Sequence, residues 1–519
     1  MTESIEACGD FFIEAQYELL EFFEDALTPP TPQEWQSRSL TISLLAQKVL
    51  QLSLFLILEP LVGALALVGT AITCLSGKVK TGFQAVLEDQ NLWSNFDLSQ
   101  KTYPKMMGVA ISEYQYSGME NCPHSHWAAF EKEHLPEDNQ SKIATDLWNR
   151  MDTHIEKLQE LGVDTFRFSI EWSQIEPQKG RFNEIAIQHY VDFVRKLKEA
   201  GITPMACLLH FTVPQWLEDE GGILNSEFPA YMARFAAKVF PYLSDDMSLW
   251  NTINEPEIQA FMGYLLGDFP PQHHSMAEMG KGLKRLLQAH CSVYEVMKKH
   301  NPEAQIGLVH NVLRYQAYRW WHPIERLTCH YLTKITHDVV RDFIDTGVFD
   351  FKVPFLAHER FTVEKVPNDF NGVNYYVRPL IKQVFSKEFM ISTHYPGGAM
   401  TKMPLREDPA GLYEAIMEMP GPIYITENGI SAHNDEQMAR YYTRALYAVS
   451  EAIKDGADVR GYYAWSLSKN AEWAEGWDPQ NFGLYDYDQE TETFSLRPGA
   501  RAYIEEVRYA HQQHQEKVV

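Results

Sequence analysis

From about Asn91 to the C-terminus, short β-rich runs alternate with longer helical patterns, and nothing else in the chain narrows its possible folds as much. Eight runs can be read, near Met106–Ile111, Asp164–Ile170, Thr203–His210, Ser248–Asn254, Gln305–Asn311, Asp369–Tyr376, Pro422–Glu427 and Arg460–Leu467. Helices are expected between them, among them Ile143–Leu161, His189–Ala200 and Glu436–Lys454. Each is closely followed by a glycine (Gly162, Gly201, Gly456), the residue that most easily takes the left-handed conformation ending a helix. Eight βα units point to a closed (β/α)8 TIM barrel of the α/β class rather than an open sheet. The 519 residues leave room for one such barrel, roughly 250 residues or more, and an appendage.

The appendage is expected to be a helical N-terminal extension over residues 1–95, with the barrel domain over 96–519. Ile5–Leu27 reads as an amphipathic helix stopped by Pro29-Pro30. Leu52–Leu75 carries a single charge, Glu59, and is long enough to cross a bilayer, which needs about 20 apolar residues. Glu59-Pro60 interrupts it, because a carboxylate is costly in lipid and proline breaks a helix hydrogen bond. Three geometries remain open within 41–75: a single span, a helical hairpin turning at Glu59-Pro60, or two helices buried against protein. Either membrane geometry, with Lys78 and Lys80 beyond the stretch and the acidic Met1–Glu34 before it, would leave a membrane-associated barrel on the cytoplasmic side. No basic region followed by a short apolar core opens the chain, so a cleavable secretory signal is not expected.

A formal net charge of -25 argues against nucleic acid or anionic lipid as the main partner, since either would want a basic face. The cysteines (Cys8, Cys74, Cys122, Cys207, Cys291, Cys329) show no C-x-x-C spacing, so free thiols are expected rather than a metal site or a disulfide framework. His273-His274 reads as a solvated loop pair. No glycine-rich phosphate loop is present, and neither metal nor cofactor is called for.

TIM barrels carry their chemistry at the C-terminal ends of the strands. Those ends here are polar and aromatic: Arg167 with Glu171 and Trp172, His210, Asn254-Glu255, Asn374 with Tyr376, Glu427-Asn428, and Trp465. Strands four and seven face each other across an eight-stranded barrel, so Glu255 and Glu427 should share one cleft. Two carboxyls flanking a glycosidic bond are what glycoside hydrolysis needs, one protonated to help the leaving group depart and one ionised to attack. Arg167 and Tyr376 can reach the strand-seven side and would favour the charged form of Glu427, making it the nucleophile. Glu255, close to that negative charge, is then the general acid and later the base.

Trp250-Asn251-Thr252-Ile253-Asn254-Glu255-Pro256, Ile425-Thr426-Glu427-Asn428-Gly429 and Gly461-Tyr462-Tyr463-Ala464-Trp465-Ser466-Leu467 resemble, in this order, the acid/base, nucleophile and closing-strand signatures of family 1 glycoside hydrolases. The resemblance runs from about Lys105 to the C-terminus. It implies a retaining β-glycosidase, β-glucosidase-like, in a TIM barrel. It further implies a sugar pocket made by Gln115, His210, Asn254, Asn374, Trp465, Glu472 and Trp473, with Arg167 orienting the nucleophile and Tyr376 supplying a phenol. An acidic Glu472 implies a glycone without a 6-phosphate, which a carboxylate would repel. The sequence departs from the family pattern at Lys469-Asn470-Ala471-Glu472-Trp473, at His210-Phe211 and at Asn481 before Phe482-Gly483-Leu484, which bears on the pocket wall and on which sugar fits. Two other readings are a membrane-attached transglycosidase using a sugar or glycolipid acceptor, and a catalytically silent binding protein. The presence of both glutamates weighs against the second.

Overall fold

Eight parallel strands close into a barrel: β1 Met106–Ala110, β2 Thr165–Ser169, β3 Thr203–Leu209, β4 Leu249–Asn254, β5 Gln305–Asn311, β6 Phe370–Asn374, β7 Ile423–Asn428 and β8 Val459–Trp465. Each strand pairs with its sequence neighbours, and β8 closes on β1 with Ala110 opposite Trp465. The computed structural model describes residues 101–516 apart from 320–321, 355, 365–366, 384–390, 394–400, 404, 406 and 478–479. The expected extension over 1–95, with its apolar stretch at 41–75, lies outside the described residues. Among the described residues, no helix is long and apolar enough to cross a membrane.

The strands are covered on both faces, as parallel sheets in α/β proteins are, so their sequences are almost wholly buried rather than alternating with water. On β2 the outward Phe166 and Phe168 pack on Phe193 of the surrounding helix, with rings 5.1 Å apart for Phe168. The inward Thr165 bonds the Tyr463 hydroxyl at 2.9 Å, and the inward Arg167 reaches into the site. Met205, Leu249, Phe370, Tyr424 and Tyr463 belong to one buried cluster that includes Ala110 and Trp465, so the barrel interior is packed and not a pore.

Two strands break strict alternation where the chemistry is expected. On β4, Trp250 and Thr252 face outward, to Phe240 and His290, and alternation would send Asn254 the same way. The register against β5 shifts between Asn251 and Asn254, and Asn254 turns inward to Arg167. On β7, Tyr424 faces the interior cluster, and the register shifts against β6 between Ile425 and Glu427, which turns Glu427 inward as well. Irregularities of this kind re-aim side chains beside active sites.

The expected helices form with two corrections. The first begins only at Met151, because Lys142, Ala144 and Asp146 take positive φ and the N–H groups of Thr145 and Leu147 bond Tyr116 O instead of an earlier helical turn. The second begins earlier, at Glu184, where the Asn183 side chain accepts from the N–H groups of Ile185 and Ala186. The third runs Asp435–Lys454. Gly162, Gly201 and Gly456 all have positive φ, as expected for helix stops.

The barrel lies in one compact unit; described residues within 314–332 and 378–393 belong to a second. Its described strands form a small sheet in the order Ile391–Thr393, Leu380–Gln383, Gln316–Ala317.

Candidate active site

The guanidinium of Arg167, fully buried, joins three strands. Its Nη1 donates to Glu427 Oε1 at 2.6 Å on β7, its Nη2 to Asn254 Oδ1 at 2.6 Å on β4, and its Nε to Asn251 Oδ1 at 2.9 Å. The other oxygen of Glu427, Oε2, accepts from the Tyr376 hydroxyl at 2.8 Å. Both carboxylate oxygens thus meet strong donors, one of them a permanent cation. Removing one partner of such a buried pair typically costs about 3–5 kcal/mol, because the other charge is left uncompensated.

Glu255 sits in a different environment. Its Oε1 accepts from Asn374 Nδ2 at 2.7 Å and Asn311 Nδ2 at 2.9 Å, both neutral amides. Burial first, and then the charge of Glu427, hold its carboxyl well above the usual carboxylate range. Two carboxyls at one site therefore differ in kind. One is clamped by a cation and a phenol, and the other is buried among amides and holds its proton above the usual carboxylate range. Glu255 also takes left-handed backbone angles (φ 45°, ψ 64°) just before the helix Pro256–Phe261, a conformation unfavourable for a residue with a Cβ and found where the surroundings fix it.

The remaining expected residues gather around this pair. Asn254 Nδ2 lies 3.2 Å from His210 Nε2, and Asn374 Nδ2 lies 3.1 Å from Asn254 Oδ1. His210 Nε2 is 3.9 Å from Glu427 Oε1, yet burial and the Arg167 charge push the imidazole well below its ordinary value, so it is neutral there. The rings of Trp465 and Trp473 both lie 5.9 Å from His210. Gln115 Nε2 donates to Ala471 O at 2.7 Å and Asn470 Oδ1 at 3.2 Å, which ties it to the short hairpin Ala471–Glu472 and Gly476–Trp477 carrying Glu472. Burial, then the charges of Glu475, Glu427 and Glu255, push the Glu472 carboxyl up to about 8, so it holds its proton near neutral pH. Gln115 Oε1 and His210 Nδ1 are buried and bond nothing among the described residues. Such atoms cost roughly 1–3 kcal/mol each until a ligand or water meets them.

Gly429 lets β7 end beside Trp465: a Cβ there would stand 1.9 Å from Trp465 O. At the departure from the family pattern, Asn481 turns to Asp486, while Arg497 donates to Asn481 O at 3.1 Å and Gly483 O at 3.0 Å and holds the segment.

Some polar strand ends do not join the site. Glu171 caps the short helix Trp172–Ile175 through Ser173 N–H, and Trp172 stacks on Phe235 at 4.9 Å. Asn428 bonds Tyr375 O and the hydroxyls of Tyr441 and Tyr462. His273 lies 3.0 Å from Glu278. The sequence reading missed Asn311 and Asn251. Asn311 is the last residue of β5, the position that had singled out the other candidates, and could have been found by the same rule.

The description Glycosyl hydrolase family 1 matches residues 99–511. Beta-glucosidase 47 of Arabidopsis thaliana is 28% identical over 464 residues, covering 77% of this chain and 84% of its own length. A beta-glycosidase from Pyrococcus horikoshii is similar in structure with a TM-score of 0.71 and 30% identity, covering 79% of this chain and 95% of that one. A beta-glucosidase from Thermotoga maritima, solved in complex with cyclophellitol, gives a TM-score of 0.70 and 26% identity, covering 79% of this chain and 99% of that one.

Proposed function

The chain belongs to glycosyl hydrolase family 1 and is a β-glucosidase-like glycoside hydrolase, and on that footing we propose that it is a retaining enzyme acting by double displacement on terminal, non-phosphorylated β-D-glycosides. The observation that carries the reading is the asymmetry of the two carboxyls, Glu427 held by Arg167 and Tyr376 and Glu255 buried among amides. Glu427 attacks the anomeric carbon as the glycosidic bond breaks, and Glu255 gives its proton to the departing oxygen. Water then enters, Glu255 takes a proton from it, and the glycosyl–Glu427 ester opens to the sugar with its original configuration. Gln115, His210, Asn254, Asn374 and Glu472 offer the polar atoms that recognise hydroxyls, and Trp465 and Trp473 the apolar faces.

A panel of aryl β-glycosides, assayed with wild type, Glu427→Ala and Glu255→Ala in added azide, tests the reading. Double displacement predicts an α-glycosyl azide from Glu427→Ala and a β-glycosyl azide from Glu255→Ala. An inverted sugar from the wild type would overturn it.

We further propose that residues 1–95 are an extension outside the glycosidase domain, which agrees with a family match beginning at residue 99, and that its apolar stretch within 41–75 attaches the enzyme to a membrane. Retention of the full chain in the membrane pellet after a carbonate wash checks this; release into the supernatant sinks it.

A further inference from the structure

Behind the acid side of the site a row of ionisable side chains runs outward through the barrel wall. Glu257 Oε1 accepts from Asn311 N–H at 2.6 Å and lies 3.1 Å from His310 Nδ1. His310 Nε2 and His337 Nδ1 are hydrogen-bonded at 2.7 Å, with rings nearly parallel and 4.9 Å apart. His337 Nε2 lies 2.5 Å from Glu418 Oε1. Glu257, His310 and His337 are fully buried, and the Glu418 side chain is 15% exposed, so the row runs from the catalytic wall to the edge of solvent. It joins four elements: the helix Pro256–Phe261, β5, the wide turn Lys334–Asp338 and the last residue of the helix Pro409–Glu418.

Apolar residues would fill these positions at no greater cost, because burying ionisable groups is expensive even when they are paired. What the row does that apolar residues could not is fix the end of β5. Glu257 stands two residues after Glu255 and grips the backbone of Asn311, whose side chain donates to Glu255 Oε1 at 2.9 Å.

We propose that Glu257, His310, His337 and Glu418 are positioning residues for the proton-donating carboxyl: they lock β5 to the helix that starts at Glu255 and so hold Asn311 on that carboxyl. The proposal rests on Glu255 being the acid/base. The charges facing the row come from every element around it: Glu255 on the side of Glu257, Glu418 and Asp338 on His310, and Asp338 and Asp342 beside His337. Burial pushes Glu257 up to about 8 and His310 down to about 4, so near neutral pH this end of the row is a carboxylic acid beside a neutral imidazole.

The test uses the full-length enzyme and aryl β-glucosides with leaving groups graded from 2,4-dinitrophenol, which departs without help, to phenol, which needs a proton. For Glu257→Leu and His337→Leu, kcat/KM is expected to fall about tenfold or more on the phenyl glucoside and less than about threefold on the dinitrophenyl one, since only the former draws on general acid catalysis. The alkaline limb of kcat/KM should move to higher pH, because losing a donor disfavours the ionised form of Glu255. Glu418→Gln, at the partly exposed end, should show the same pattern more weakly and reads the proposal even if the buried variants fail to fold. His337→Gln, which keeps a donor and an acceptor, should recover wild-type dependence on the leaving group. An equal fall for all leaving groups with an unmoved alkaline limb would reduce the row to packing and overturn the proposal. Glu255→Ala separates the two readings: wild-type leaving-group dependence in that variant removes the acid/base assignment itself, whereas loss of phenyl glucoside turnover there, with wild-type behaviour in the row variants, removes only the row.

Discussion

Arg167 Nη1 lies 2.6 Å from Glu427 Oε1 in a buried setting, while the same guanidinium binds Asn254 on β4. One cation therefore ties β7, which carries Glu427, to β4, which ends just before Glu255. Arg167→Gln leaves the Glu427 carboxylate buried without its cation, which typically costs about 3–5 kcal/mol. A lower midpoint in urea, together with loss of turnover on any aryl β-glycoside, is the expected result. Unchanged stability would mean that the pair is not formed in solution.

Tyr376 is a milder probe of the same clamp. Tyr376→Phe removes the donor to Glu427 Oε2 and leaves the ring beside Phe482, 5.9 Å away, so folding should be unaffected. kcat should fall roughly 10²–10³-fold, the usual cost of losing one preorganised donor in a closed site. Steady-state kinetics on one aryl glycoside decides it.

Glu255 must be protonated to act as the acid, and burial together with the Glu427 charge holds its carboxyl well above the usual range. The kcat/KM profile should therefore keep its plateau past the ordinary carboxylate region and fall on the alkaline side, as the free enzyme loses that proton. A profile that already falls near pH 4–5, the range of an unperturbed glutamate, would contradict it.

If Glu472 faces the sugar as proposed, substrate choice should depend on pH. Its carboxyl, pushed up to about 8, is neutral in the lower range and repels a 6-phosphate only once ionised. The preference for an aryl β-glucoside over its 6-phosphate, as a ratio of kcat/KM values, should widen as pH rises from 6 to 9. In Glu472→Gln the ratio should change much less over that range.

Glu113 tests stability rather than catalysis. It is buried, accepts from Ser117 Oγ at 2.5 Å and is pushed up to about 8, chiefly by burial. A carboxyl whose folded value lies above its unfolded one contributes fully at low pH. That contribution is lost as pH rises from the unfolded value, about 4.3, through the folded one, because the unfolded chain releases the proton first. Stability should fall between about pH 5 and 8, and Glu113→Gln should flatten the slope. The urea midpoint at three pH values suffices as the measurement.

The family signatures were legible because they are local. Asn-Glu-Pro, Thr-Glu-Asn-Gly and the Tyr-Tyr-Ala-Trp-Ser strand place their residues by sequence spacing alone, and the eight β-rich runs, separated by glycine-stopped helices, located every barrel strand to within two residues. The onset of the helix before β2 was not legible, since the turns at Ala144 and Asp146 are fixed by bonds to Tyr116, far away in the chain. Nor could polar strand ends be sorted from sequence, because Glu171 and Asn428 stand at strand ends as Glu427 does but find partners elsewhere, Glu171 in Ser173 and Thr212 and Asn428 in Tyr375, Tyr441 and Tyr462.

By itself, then, the sequence determined the barrel and its family and singled out the two glutamates proposed as the reacting pair, because patterning and short motifs act over a few residues. Tertiary structure decided which way those glutamates point. Strict alternation from Tyr424 would turn Glu427 away from the interior, and only the register shifts of β7 and β4 bring Glu427 and Asn254 to Arg167. The placing of Asn311 on Glu255 and the row Glu257, His310, His337, Glu418 behind it were settled the same way, by contacts between residues 27 or more positions apart, the shortest being His310 to His337. Such pairings exist only once the closed barrel holds the strands side by side, so no local pattern could announce them.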